Sequence, residues 1–300
     1  MRTLLIAILI FPLLDACHRN STLSADPETY YAEIDTWHNE RLARLKAMNG
    51  WLNLAGLYWL QEGKNTFGSD SSNTIIFPAK APAFIGILEL KGDSVYLRST
   101  EVPVLLNDKP AVSARLADDA SGKPDIMTVD HLAWNIIKRG TKYGIRLRDY
   151  NSMLANRLDH VPCYETNQKW RITADFKPFA EPEKQKVQTV IGMEVENIIP
   201  GELVFRINGK KMKLLPIASE DGWSLVFGDM TNGFETYPAG RFMDIGKPDE
   251  NNKVLIDFNK SYNPPCSFTP FATCQLPHPD NILRVKIEAG EKSVHINLHN

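Results

Sequence analysis

The chain has no phosphate-cradling Walker loop, no GxSxG nucleophile elbow, no HExxH metal motif and no glycine-rich dinucleotide fingerprint. No familiar motif therefore names a reaction. Its formal net charge is −2 at pH 7, with no Lys/Arg cluster interleaved with aromatics. Neutralising a phosphate backbone needs a basic excess that is not here, so no nucleic-acid partner is expected. Cysteine is scarce, four in 300 residues, and no two form a CxxC pair. No metal or other cofactor is expected. A zinc site built from Cys266, Cys274 and His278 would have gaps of seven and three residues, unlike the close pairs of structural zinc. The one long apolar run, Leu4 to Leu14, is shorter than the roughly 18 to 20 residues that span a bilayer.

That run reads instead as an export signal. Arg2 supplies the positive end, Leu4 to Leu14 the apolar stretch, and Ala16 the small residue before Cys17. Leu14, Ala16 and Cys17 are spaced like a bacterial lipobox, although Asp15 is an unusual occupant. The expectation is a signal over residues 1–16, a lipidated Cys17 and a polar tether over 17–26. Stable anchoring needs more than one acyl chain, which a diacylglyceryl-type modification supplies. The membrane, reached through this lipid, is the one partner expected; any ligand or protein partner is left open. His18 after the cysteine leans toward the outer membrane, with the protein facing the periplasm.

The rest of the chain is 43% hydrophobic and 23% charged over all 300 residues, a composition that builds a core. Asp26-Pro27 fits an N-cap with proline at the first helical position. Tyr30, Ile34, Trp37, Arg41, Leu45 and Met48 then recur at three- and four-residue spacing up to Gly50. One amphipathic helix is expected over 27–50, packed on the first β unit by Trp37 and Leu45. Short β-rich runs between turn signals follow, and LAWNIIKRGTKYGIRLRDY reads as a hairpin closed around Arg139 to Gly144. The fold class is thus mainly β: an N-terminal amphipathic helix, a β-sandwich over 51–160 and a second antiparallel β unit over 161–300.

WLNLAGLYWLQEGKNTFGSD, RLRDY, VFGDMTNGFETYPAGRF and LIDFNKSYNPPCSFTPFATCQLPHPDN occur in that order. Together they resemble a bacterial and archaeal family known only as domain of unknown function 1684, over roughly Tyr30 to Lys292. The resemblance implies no activity. Gly63, the FGSD of Phe67 to Asp70 and the strands after them are similar to forkhead-associated sandwiches. That likeness implies a sandwich fold. It does not carry over phosphothreonine binding, since Ser69 stands where the arginine would be, Ala79 to Gly86 lacks the serine-histidine turn, and Asn107 alone has a counterpart.

The proline-rich stretch Phe258 to Asn281 reads as a rigid clasp. Cys266 and Cys274 enclose seven residues, and a disulfide between them would add about 2.5 kcal/mol by loop closure. The prolines already restrict the unfolded loop, which reduces that gain. A cysteine nucleophile activated by His278 is the chemical alternative. Asp257 and Asn259 share one face at a strand end. With Tyr262, Asn263, Tyr237 and Arg241 they form a candidate polar pocket, or else they satisfy backbone groups in a buried loop. Glu235 with Arg241, and Arg146 and Arg148 with Asp149, read as ordinary ion pairs. His38, His131, His160 and His295 lack ligand spacing. A binding or structural module is favoured, the alternative being a hydrolase-like enzyme with its site near Asp257 to His278.

Overall fold

A computed structural model describes residues 26–99, 102–219 and 222–294; the expected signal, Cys17 and His295 lie outside the described residues. The chain is mainly β, with an N-terminal helix followed by several antiparallel sheets. No helix among the described residues is long and apolar enough to cross a membrane.

Helix α1 (Pro27–Lys46) starts as expected, with the Asp26 side chain accepting from the Thr29 N–H. It ends before residue 50 because the Asn53 side chain takes the carbonyls of Ala47 and Met48, while Ala47 itself turns extended. Gly50 closes this corner, where a Cβ would lie 2.3 Å from the Leu45 carbonyl oxygen. Tyr30, Ile34, Arg41 and Leu45 form the buried stripe, and Trp37 is only half-buried.

Strands β1 (Leu54–Trp59), β6 (Val104–Leu106), β7 (Lys109–Ala111), β9 (Met127–Val129), β10 (Leu132–Arg139) and β11 (Lys142–Asp149) form a six-stranded sheet. Its order is β1-β11-β10-β9-β6-β7. Strands β2 (Gly63–Gly68), β3 (Ile75–Ile76), β4 (Gly86–Lys91), β5 (Ser94–Ser99) and β8 (Ser113–Leu116) form a second sheet in the order β3-β2-β4-β5-β8. Phe67, Leu88 and Leu97 of one sheet and Trp134, Ile145 and Leu147 of the other share one core. This is the expected sandwich. The β10–β11 hairpin turns at Gly140-Thr141, with Gly140 at φ 58°, a left-handed conformation that glycine adopts freely.

After the short helix α2 (Met153–Arg157), β12 (Arg171–Gln188), β13 (Glu194–Ile207), β14 (Lys210–Leu214) and β18 (Lys253–Asp257) form a four-stranded sheet in the order β14-β13-β12-β18. It faces a three-stranded sheet of β15 (Ile217–Ala218), β16 (Trp223–Phe227) and β17 (Arg241–Ile245). Leu203, Phe205 and Ile256 meet Leu225, Phe227 and Met243 in a second core.

The placement of α1 departs from the sequence expectation. Its polar anchors reach the second β unit rather than the sandwich: Tyr30 bonds Asp257, Arg41 bonds Glu291 and the Asn263 carbonyl, and Trp37 lies against Tyr262. Leu45 packs with Leu52, Leu158 and Phe268 in a small cluster of its own. Buried polar partners distant in sequence decided the docking.

Candidate functional site

The six polar residues expected to line one pocket fall into closed networks. Tyr30 donates its hydroxyl to Asp257 at 3.0 and 2.9 Å, and the Asn259 N–H donates to the same carboxylate at 3.1 Å. The Asn259 amide reaches Tyr30, Asp257 and the Asn167 carbonyl at 2.8 to 3.0 Å. Burial and then the Asp257 charge push the Tyr30 phenol up, keeping it a donor. Tyr262 donates to Asp244, and Asn263 bonds the Glu291 carboxylate and the Lys292 carbonyl. With Asp257 8% and Asn259 1% exposed, these groups serve the seat of α1.

Arg241 and Tyr237 stand elsewhere. Arg241 is fully buried and pairs with Asp229 at 2.6 Å, while donating to the carbonyls of Ile287 and Ala289. The expected Glu235–Arg241 pair is not formed. Asp229 also accepts from both the N–H and hydroxyl of Thr231, a local turn that sets it beside the guanidinium. Glu235 instead accepts from the Tyr164 hydroxyl at 2.8 Å. Tyr237 donates to the Cys266 carbonyl at 3.2 Å.

Cys266 and Cys274 meet as free thiols, the Cys266 N–H donating to the Cys274 sulfur at 3.2 Å; no bond joins them here. The clasp is held regardless, through Cys274 and Leu276 to Val190 and Gln188, and through Thr273 to Arg139 of the sandwich. His278 does not serve as a base for either thiol, because its Nδ1 accepts from the Asp280 N–H and caps the turn at 279–281. Among the described residues no group of three or more His, Cys, Asp or Glu could hold a metal ion.

One pairing was not foreseen: Cys163 lies 3.6 Å from the His38 ring. Burial and the neighbouring Glu291 push the thiol up to about 12, and burial pushes His38 down. Both are neutral at pH 7, so this is not an activated nucleophile.

The arginines of RLRDY behave differently from expectation too. Alternation along β11 puts Tyr143, Ile145 and Leu147 into the sandwich core and Arg146 and Arg148 on the opposite face. Asp149 falls on the core side, where Lys80 pairs with it and His131 lies 3.7 Å away. The expected Arg–Asp149 pairing is therefore absent, and the RLRD alternation was the signal that could have shown it. Arg146 and Arg148 line a cavity of about 380 Å³ with Asn49, Asp119, Pro124, Ile126, Ala133, Trp134, Asn135 and Tyr150.

Arg146 is 7% exposed and makes no hydrogen bond or ion pair with any described residue; its guanidinium stands 5.4 Å from the Trp51 ring centroid. Its Nε and that of Arg148 are both buried without a partner. Arg148 donates only to the Asn135 side chain, at 3.1 Å. Asp119, the carboxylate on the wall, is bound by Arg139 at 2.8 Å. Burial, followed by the like charge of Arg139, pushes Arg146 down to about 10, still charged at neutral pH.

Residues 156–292 match the family described as "Protein of unknown function (DUF1684)". The matched segment holds the seat of α1, the Arg241 network and the clasp, and the cavity arginines lie before it. No curated protein matches the chain. Among solved structures, an uncharacterised protein of Haloarcula marismortui is 22% identical, over 49% of this chain and 82% of that one, with a TM-score of 0.40. The FHA domain of FhaA, solved with the intracellular domain of Rv3910, is 17% identical over 31% of this chain and 97% of that one, at 0.22.

The arginine cavity has the chemistry of a receptor for negative charge. A guanidinium offers five donors in a fixed fork, and a low-dielectric wall strengthens any bond it makes to an anion. A wider groove of about 710 Å³ runs over β4, β5 and β8, but it is open sheet surface whose Glu89 is already approached by Lys91 and Arg98.

Proposed function

We propose that the protein is a lipid-anchored, extracytoplasmic binding module that holds a small anionic molecule between Arg146 and Arg148. One observation carries the reading: an arginine 7% exposed, with its Nε buried and no hydrogen-bond partner among the described residues, on the wall of a 380 Å³ cavity. An uncompensated buried charge costs several kcal/mol, and a bound anion removes that cost. Binding is favoured over hydrolysis because the cavity wall offers no activated nucleophile: its carboxylate, Asp119, is held by Arg139.

Export and anchoring rest on Leu14, Ala16 and Cys17, and placement in the outer membrane facing the periplasm rests on His18. Oxidation of Cys266 and Cys274 to a disulfide belongs to the same proposal. The compartment favours it, and the two thiols already adjoin. The intact mass of the mature protein from the membrane fraction tests the anchor. An unmodified N-terminus beyond Cys17 removes lipidation.

The binding claim is tested by thermal shift at low salt against organic and inorganic anions, for the wild type and Arg146→Gln. A rise in melting temperature with anion in the wild type alone supports it. Equal responses of the two proteins overturn it.

A further inference from the structure

We infer that the anion this cavity takes is a phosphomonoester, a doubly charged phosphate on an organic body. The inference rests on the anion-binding reading of the same cavity and adds the charge and size of the ligand. Two cations, Arg146 and Arg148, line the site, and two more lie around the same sheet. Arg139 is taken by Asp119 at 2.8 Å, and Lys80 by Asp149 on the other side of the sheet. Arg146 and Arg148 have no carboxylate within ion-pair distance among the described residues, which leaves two positive charges unmatched. A carboxylate or phosphodiester brings one negative charge. A phosphomonoester brings about 1.5 to 2 at neutral pH, with three strong acceptor oxygens.

The strand geometry suits that group. Arg146 and Arg148 are two apart on one face of β11, so their backbones stand roughly 6.6 Å apart. Two long side chains rooted at that spacing can converge on one tetrahedral oxyanion, each with two donors in parallel. Asn135 sits directly across the ladder from Arg146 and already orients Arg148 through its side-chain oxygen.

Volume argues for an ester rather than a free ion. The cavity, at about 380 Å³, has the volume of roughly a dozen waters at about 30 Å³ each. A phosphate ion leaves most of that cleft to solvent. The remaining wall holds Asn49 and Asp119, the latter paired with Arg139, and beside them Pro124, Ile126 and Ala133 with the Tyr150 ring, an apolar patch that suits a carbon body.

Calorimetry on the purified mature protein at low salt tests this with four probes: phenyl phosphate, methyl phenyl phosphate, benzoate and inorganic phosphate. Phenyl phosphate is expected to bind about tenfold or more tighter than each of the others, a gap of about 1.4 kcal/mol. Arg148→Gln is expected to shrink its advantage over methyl phenyl phosphate to about threefold or less, since one unmatched charge then remains. Circular dichroism and melting of Arg148→Gln check that the variant folds. If it does not, the wild-type ranking alone decides. Monoanions binding as tightly as phenyl phosphate overturn the phosphomonoester and leave anion binding standing. Inorganic phosphate binding equally well overturns the organic body. No binding of any of the four overturns both readings.

Discussion

The Tyr30 hydroxyl, in the first helical turns, donates to both carboxylate oxygens of Asp257, 227 positions later, at 3.0 and 2.9 Å. This bond and its Asn259 neighbour join the N-terminal helix to the end of β18 in a place closed to water. A buried carboxylate that loses its donor bears the full desolvation cost. Tyr30→Phe should therefore lower stability by about 1 to 3 kcal/mol, and Asp257→Asn by a similar amount. Thermal or urea unfolding measures both. An unshifted Tyr30→Phe would mean that α1 is held by its apolar stripe alone.

The pair formed by Arg241 and Asp229 should dominate the stability of the second β unit. Both side chains are fully buried, so removing either leaves an unpaired charge, at a cost of about 3 to 5 kcal/mol. Glu235, half in solvent and bonded to Tyr164, should matter far less, with Glu235→Gln costing about 1 kcal/mol or less. Urea titrations of Asp229→Asn and Glu235→Gln compare them directly. The reverse ranking would restore Glu235 as the partner of Arg241.

Glu291 gives stability a pH dependence of definite sign. Burial raises its carboxyl above the ordinary 4.5, and Arg41 and the Asn263 N–H offset only part of that rise. The folded state therefore holds this proton to higher pH than the unfolded state does. Stability from this group is fully present below about 4.5 and is lost as pH rises through the raised folded value. Glu291→Gln cannot titrate. The melting temperature of the wild type minus that of Glu291→Gln should thus fall across that window and then level off. A flat difference would mean that Arg41 fully compensates the buried charge.

Local structure was legible where chemistry and geometry are local. Asp26-Pro27 fixes the start of α1, and Gly140-Thr141 closes the β10–β11 hairpin between alternating strands. The docking of α1 was not legible, because Tyr30 and Arg41 look like an amphipathic stripe until Asp257 and Glu291 are brought to them. The choice between pocket and structural network was illegible for the same reason. Asp257, Asn259, Asn263 and Arg241 carry the residue types of a pocket, yet each meets a partner far along the chain: Tyr30, Asn167, Lys292 and Ile287. The arginine cavity left a trace in RLRD. Alternation separates Asp149 from Arg146 and Arg148, but only the packed sheet shows that nothing else neutralises them.

The clasp makes a redox-sensitive prediction. If the protein is exported as proposed and Cys266 and Cys274 are oxidised, Cys266→Ser/Cys274→Ser should lose about 2.5 kcal/mol or somewhat less, the prolines having already restricted the loop. Its melting temperature should equal that of the reduced wild type. Alkylation followed by intact mass counts the free thiols. Two reactive thiols at the clasp in protein recovered without reductant would rule the bond out.

Arg146 supplies the sharpest contrast between a structural and a receptive residue. A buried arginine that holds the fold together destabilises the protein when replaced, because its partners lose their bonds. Arg146 has no hydrogen-bond or ion-pair partner among the described residues, only the Trp51 ring 5.4 Å from its guanidinium, and burial with the like charge of Arg139 disfavours its charged form. Arg146→Met keeps most of the side-chain volume and removes the charge. The ligand-free variant should therefore be more stable than the wild type by about 1 kcal/mol or more, the direction seen when a buried ion pair gives way to packed apolar residues. The same variant should show no melting shift with anions that stabilise the wild type. These two effects point in opposite directions, which a simple loss of packing cannot produce. Differential scanning calorimetry with and without phenyl phosphate measures both. A variant less stable than the ligand-free wild type would mean that Arg146 serves the fold, and the cavity would lose the charge that marks it as a site.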